Sequence, residues 1–285
     1  MILDLEETPY LKSLTINGRL SFLDFQEQPI HLKAESIFVR AGEFYIGSAE
    51  KPFKNKATIS LMGEQEAETL RLSGTVDGSN KVMAVTGKVE FYGESRGVNM
   101  ARLLVPCKTG DTEIYVEGDP GWSIGDDIYL APTAMQNHHS EYRQITDILG
   151  SKITLNEPLT YYHYGEGAST ADEFNGIDMR GEVLLLSRNI RIEGEDKDGW
   201  GGQVLGTDMF ESDGTWRKGQ IIMDQVQVYN CSQKDTYYGA IRFEGHIAGH
   251  SRISNSAVHN GLGMGVVILN GNNVELVNNA FVGFR

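Results

Sequence analysis

The sequence predicts an all-β chain that begins as a compact β module and continues as a parallel β-helix. Three observations carry this. Short apolar runs recur between Gly and Asn corners, and long helical periodicity is absent. The chain holds 33 Gly against 7 Pro, so it turns often without Pro-rich disorder. From residue 176 onward the segments 226–231, 256–261 and 279–284 align on Val228, Val258 and Phe281, at offsets of 30 and 23 residues. Those offsets fall in the range of about 20–50 residues that marks stacked repeats.

Taken in order, residues 11–61 read as strands and turns. Residues 11–16 lead into Asn17-Gly18, a strong hairpin signal, and then into residues 19–25. Residues 31–39, 43–46 and 57–61 come next, and then 69–72, 82–85 and 89–92, with Gly63, Gly74, Gly78, Gly87 and Gly93 at the corners. Several of those corners are expected to need positive φ. Residues 101–165 make a second set of strands, and a polar stretch at 165–175 separates this set from the remainder of the chain. Residues 176–194, GIDMRGEVLLLSRNIRIEG, hold a continuous apolar run at 183–186 and an alternating one at 190–192, joined at Arg188-Asn189. This gives three consecutive parts: a β module at 1–100, an extension at 101–175 and β-helix coils at 176–285. Within the coils, Asn230 and Asn260 fall at equivalent corners, where amides would stack between coils. Asn230-Cys231-Ser232 is also the one N-x-S/T match in the sequence, and a stacked corner amide there excludes glycosylation.

Composition narrows the function. A formal net charge of −14 argues against nucleic-acid and anionic-lipid partners. No apolar run nears the roughly 20 residues that cross a bilayer, so no membrane insertion is expected within this segment. No signal peptide is visible at the start, and the chain reads as an internal piece of something longer. Cys107 and Cys231 leave three readings open: a disulfide, two buried thiols, or partners outside the segment, with buried thiols the default.

Several stretches together resemble the G8-domain family of fibrocystin-like cell-surface proteins, and more distantly its hyaluronan-depolymerising branch. They are LKSLTINGRLSF (11–22), LKAESIFVRAGEFYIGSAEKPF (32–53), GDTEIYVEGDPGWSIGDDIYLAPT (110–133), LTYYHYG (159–165), IDMRGEVLLLSRNIRIEGE (177–195) and YYGAIRFEG (237–245). The resemblance implies a G8 β module followed by a right-handed parallel β-helix. It also implies a secreted or cell-surface setting, the ciliary membrane included, with any anchor elsewhere in the full protein. Its expected partners are extracellular protein or glycan. Where the hyaluronan-acting branch carries a His-x-His pair, this chain has Arg242 and Glu244, which favours a non-catalytic reading.

The candidate sites each carry a plain structural alternative. Asp178, Arg180 and Glu182 alternate along a strand, so two carboxylates flank an arginine on one face. That pattern suits gripping or cleaving a sugar, or else a simple ion-pair mesh. Glu244, His246 and His250 have metal-ligand chemistry without a recognised spacing, and solvated corner residues explain them as well. Asp126-Asp127 beside Trp122 would suit Ca²⁺, or a turn capped by its own carboxylates. His138-His139 reads as loop surface and His163 as a packed structural residue. Trp200, Trp216, Tyr237 and Tyr238 are the aromatics that would form a glycan-binding face. No nucleophile elbow, phosphate loop or zinc-protease motif is present.

Overall fold

The computed structural model describes residues 1–25, 28–72, 76–166, 176–195 and 199–284. The expected linker at 165–175 lies, from residue 167 onward, outside them, as does the corner Gly74. The chain divides into two compact units: Met1–Glu94 with Arg188–Arg285, and Ser95–Ser187. These boundaries differ from three consecutive parts, and the reason lies in strand pairing.

The first unit is the expected parallel β-helix, and its coils begin near the N-terminus rather than after residue 176. Three ladders of parallel strands run through it. The first stacks Ile2–Leu3, Arg19–Phe22, Glu43–Ile46, Lys88–Tyr92, Gln220–Asp224, Ser251–Ser254 and Val274–Val277. The second begins with the front half of the long strand Ile30–Val39. It continues through Ala57–Leu61, Ile190–Gly194, Val226–Tyr229, Ala257–His259 and Ala280–Val282. The third begins with the back half of Ile30–Val39, which also pairs Leu11–Ile16. It continues through Val82–Val85, Gln203–Gly206, Ile241–Glu244 and Val266–Leu269. Each coil therefore takes one strand from each ladder. Lys88–Tyr92 and Ile190–Gly194 belong to the same coil although 97 residues, 93–189, separate them in sequence.

Alternation decides which side faces in. In the second ladder Ile30, Leu32, Ile59, Ile190, Ile192, Val226 and Val228 are buried in the core, while His31, Lys33, Arg191 and Glu193 point outward. In the first ladder Phe22, Phe44 and Phe91 pack in a row, Phe22 tilted against Phe44 and Phe44 edge-on to Phe91, with centroids 5.5 and 5.0 Å apart. Val228, Val258 and Phe281 are register partners, as their sequence alignment implied. The outer face of the third ladder carries a smaller cluster of Val82, Ala84 and Leu205. Phe38, Leu70, Leu72 and Val76 pack against it, so the expected strand at 69–72 serves as a cover.

The corners correct two expectations. Asn17-Gly18 is no hairpin: its flanking strands, Leu11–Ile16 and Arg19–Phe22, pair with Ile30–Val39 and Glu43–Ile46, both in parallel. Gly18, Gly42 and Gly87 instead stack at one corner between coils. A Cβ on Gly42 would lie 2.2 Å from the Gly18 carbonyl oxygen, and one on Gly87 2.2 Å from that of Gly42. Close backbone approach, not positive φ, selects glycine at positions 42 and 87. Of the Gly corners expected to need positive φ, Gly63 has it (φ 110°); in the later coils it recurs at Gln225, Asn255 and Asn278 at one corner (φ 57, 51 and 54°), and at Asn230 and Asn260 at another (49 and 52°). The stacked amides sit at the first of these. Asn255 Nδ2 donates to Asp224 Oδ1 at 2.6 Å and Asn278 Nδ2 to Asn255 Oδ1 at 2.8 Å. Asn230 is half-buried between Tyr229 and the buried Cys231.

The second unit is antiparallel. Its strands run in the order Glu113–Tyr115, Lys152–Leu155, Glu141–Leu149, Asp127–Leu130, Glu182–Leu185 and Met100–Arg102. The two outer strands meet through the Leu103–Val116 bridge, which closes the sheet on itself. Its core holds Leu103, Ile114, Trp122, Ile128, Ile145, Ile153 and Val183. The run at 183–186 thus serves this sheet, and the alternating run at 190–192 serves the β-helix. Cys107 and Cys231 are free buried thiols in separate units, and burial pushes both up to about 12.

Two outcomes test this architecture. Gly42→Ala should destabilise the fold by about 1–3 kcal/mol, because its Cβ meets rigid backbone. Gly18→Ala, with nothing within 4 Å, should stay within about 0.5 kcal/mol of the parent in urea unfolding. Joining Glu94 to Arg188 through two glycines, without residues 95–187, should leave a cooperatively folding β-rich protein by circular dichroism. The next coil closes the same corner with Gln225 alone, so loss of folding would refute one continuous β-helix.

Candidate functional site

The position that carries His-x-His in the resembling branch lies on the strand Ile241–Glu244 of the third ladder. Alternation sends Ile241 and Phe243 into the core and Arg242 and Glu244 outward. Arg242 is nevertheless fully buried, because Tyr237, Tyr238 and the segment around Asp77 cover it. Its guanidinium lies 4.6 Å from the Tyr238 ring centroid and 5.4 Å from that of Tyr237. Its Nη2 donates to the Asp77 carbonyl at 2.5 Å, and the Tyr238 hydroxyl donates to the Asp77 carboxylate at 2.8 Å. Nη1 meets Glu244 Oε2 at 3.2 Å in a geometry short of a hydrogen bond. Burial lowers the Arg242 pKa; it raises that of Glu244, with Arg242 opposing the rise. The burial that blocks ligand access also makes Arg242 a pin holding two connectors against the third ladder.

Asp178, Arg180 and Glu182 do come together, and other arginine contacts occupy them. Arg180 Nε and Nη2 donate to Asp178 at 3.0 and 2.8 Å, and Nη2 also reaches Glu117 at 3.2 Å. Arg102 Nη2 donates to Glu182 at 2.9 Å, while its Nη1 donates to the Arg180 carbonyl at 2.7 Å. The Arg180 guanidinium holds the Asp178 carboxyl down to about 2. A carboxyl held there stays ionised near neutrality and has no proton to give a leaving group. Sequence spacing found three members of this mesh; Arg102 and Glu117 lie too far away in sequence for local pattern to show.

The three metal-type residues diverge. Glu244 pairs with Arg242, His246 Nδ1 lies 3.7 Å from Asp208, and His250 Nε2 lies 3.0 Å from Glu275. Among the described residues no group of three or more His, Cys, Asp or Glu is placed to hold a metal ion. Asp126 caps its own turn, accepting from the Ser123 amide at 2.8 Å and from Arg96 at 2.5 Å. The Asp127 carboxylate accepts from Gln144 at 3.4 Å. His139 stacks on Tyr161 at 4.1 Å, and buried His163 bridges the Ala131 carbonyl and Glu141 at 3.1 Å each.

The aromatics separate into fixed and displayed ones. Trp200 is partly buried and its indole N–H donates to Asn80 at 2.6 Å. Tyr237 and Tyr238 pack on each other at 4.7 Å above Arg242. Trp216 stands out on a hairpin, Asp208–Phe210 against Trp216–Lys218, beside Phe210. Local pattern offers no reason to single out Phe210, because its partnership with Trp216 depends on where the hairpin turns.

One further array has no signature in local sequence. On the outer face of the second ladder Arg191 lies 4.2 Å from the Tyr229 ring, and Tyr229 packs on His259 at 5.1 Å. His259 is buried. Gln227 Nε2 donates to its Nε2 at 2.8 Å, and its Nδ1 donates to Asn260 at 3.0 Å. Burial, reinforced by Arg191 and Arg188, pulls its pKa down to about 4.

Residues 1–104 match the family model "G8 domain", so the resemblance carried by the sequence motifs is borne out there. Mouse fibrocystin-L is 27% identical over 243 residues, 80% of this chain and 6% of that protein. Mouse fibrocystin is 24% identical over 97% of this chain and 7% of its own length. A G8 domain-containing protein of Dictyostelium discoideum is 25% identical over 79% of this chain and 16% of its own. The chain thus spans a small part of each relative. Among solved structures, the tailspike protein gp49 from Pseudomonas phage LKA1 is 12% identical and covers 95% of this chain and 37% of its own, with a TM-score of 0.30. No helix among the described residues is long and apolar enough to cross a membrane.

The His259 ring gives a pH test. Its folded pKa lies below the unfolded 6.5, so between pH 6.5 and about 4 the unfolded chain takes up a proton that the folded chain refuses. Stability is full above that window and falls on acidification through it, by on the order of 3 kcal/mol. Denaturant unfolding at pH 7 and pH 4.5 should show a smaller loss in His259→Asn than in the parent. Equal losses would clear His259 as the source.

Proposed function

We propose that this segment is a non-catalytic structural and adhesive module of a large fibrocystin-like cell-surface protein. Its work is to present β-helix faces and connectors to extracellular protein or glycan. The observation that carries the reading is the arginine mesh. Asp178 and Glu182, the carboxylates best placed by sequence to cut a sugar, are both held by guanidinium groups. Arg242 and Glu244 add to this, since they stand where the resembling hydrolytic branch has histidines and one of them is sealed from solvent. The similarity to fibrocystin-L and fibrocystin supports a cell-surface setting, and the ciliary membrane is the finer form of that proposal.

The test is incubation of the purified segment with size-defined hyaluronan and related glycans, with and without Ca²⁺, and then chain-length analysis. Chain length should be unchanged under all conditions. Shortening that disappears in Asp178→Asn or Glu182→Gln would make the segment an enzyme and end the non-catalytic reading.

A further inference from the structure

We propose that the hairpin Asp208–Phe210/Trp216–Lys218 is a carbohydrate-binding platform, taking a pyranose ring of a glycan chain against Phe210 and Trp216. This rests on the adhesive-module reading and names where such a module would hold its glycan.

The connector from the third ladder to the first is short in the preceding coil, where residues 86–87 suffice. Here it spans residues 207–219 and builds an antiparallel hairpin that the coil does not need for closure. Phe210 and Trp216 are direct cross-strand partners on it. Their rings lie 5.3 Å apart and 8° from parallel, yet Phe210 is 55% exposed and Trp216 40%. Stacked in this way the two rings turn toward each other, and the outward flat face of the pair is what the C–H face of a sugar ring packs against.

The rings are also held in place. The Trp216 indole N–H donates to Asp208 Oδ2 at 2.7 Å. Met209, on the opposite face of its strand, is buried. Arg40 from an earlier coil grips Glu211, with Nε donating to Oε1 at 3.0 Å. The turn is closed by the Glu211 amide donating to the Thr215 carbonyl at 2.8 Å and by Gly214 at φ 86°. A platform fixed before binding loses little entropy when a ligand arrives.

Polar groups at the rim supply orientation. Lys218 Nζ sits 3.7 Å from the Trp216 centroid, with no carboxylate paired to it among the described residues. The exposed ring of His246 packs edge-on against Trp216 at 5.3 Å. Both can donate to sugar hydroxyl or carboxylate oxygens. The acidic groups nearby are engaged: Asp208 by Trp216, Glu211 by Arg40, and Asp213 by the Thr215 amide at 2.9 Å. Arg40, Arg217 and Lys218 match the three carboxylates in number, so in a chain of net charge −14 this local surface does not repel an acidic glycan.

The experiment is a printed array of neutral and acidic glycans, and then titration of the best-bound oligosaccharide with the intact segment. Binding should weaken about tenfold in Phe210→Ala, return to near the parent level in Phe210→Tyr, and stay unchanged in Trp200→Phe. Unfolding midpoints will show that Phe210→Ala, an exposed change, leaves the fold intact. Glycan binding indifferent to Phe210 would overturn the platform while leaving the adhesive module standing. An array with no bound glycan would overturn it too and turn the module toward protein partners. Glycan shortening would sink the non-catalytic reading and leave the platform to be judged by the Phe210 variants alone.

Discussion

Parallel backbone pairing between successive coils is the constraint on which the rest depends. Every strand of the β-helix must present its amides and carbonyls to the coil before it and the coil after it, in fixed register. Alternation then sorts its side chains between core and exterior. A slip of one residue in Ile190–Gly194 would turn Ile190 and Ile192 outward and drive Arg191 and Glu193 into the core. Strand length and phase are therefore tightly held. The connectors between ladders are free to vary, provided each returns the chain to register.

The corners show how that return is achieved. Where one coil's backbone crosses another's at van der Waals limits, the residue must lack a Cβ, hence Gly42 over the Gly18 carbonyl and Gly87 over that of Gly42. Where the chain turns through the left-handed region, the residue needs local hydrogen bonds to offset a cost of about 1–2 kcal/mol. Asn255 and Asn278 meet this by bonding side chain to side chain from coil to coil, ending on Asp224. At the coil interrupted by residues 95–187, Asn189 bonds from coil to coil without a left-handed backbone. Its amide donates to the Phe53 and Asn55 carbonyls at 2.6 and 2.9 Å and accepts from the Glu94 amide at 2.9 Å. One side chain thus joins the point where the chain leaves the β-helix to the point where it returns.

Much of this was legible where the signal is local. The alternation at 190–192 and the alignment of Val228, Val258 and Phe281 read correctly as stacked β coils. What failed was partnership. Asn17-Gly18 carries the same local preference whether the strands it joins pair with each other or with strands of the next coil. Nothing near it says that Arg19–Phe22 will meet Glu43–Ile46. Likewise Lys88–Tyr92 gives no sign that its next neighbour is Gln220–Asp224. The early coils therefore read as a separate module. The sites divide in the same way. Asp178, Arg180 and Glu182 share a face by spacing alone, but Arg102 and Glu117, which tie them up, come from other strands.

The same division between fixed coils and free connectors bears on where recognition resides. Outward residues on the ladders are largely used by the scaffold itself. Arg242 pins two connectors, His259 and Gln227 satisfy each other, and the Val82 and Leu205 cluster is covered by the segment around Leu70. A substitution there disturbs packing before it disturbs any ligand. The connector at 207–219 is different in kind. Its buried side is anchored by Met209 and the Arg40–Glu211 pair, and its exposed side contributes nothing to coil register. Exposed aromatic surface is unfavourable in water, and here the fold's own closure does not require it. A group that the scaffold can do without, yet holds rigidly in solvent, is the kind of surface a partner would use.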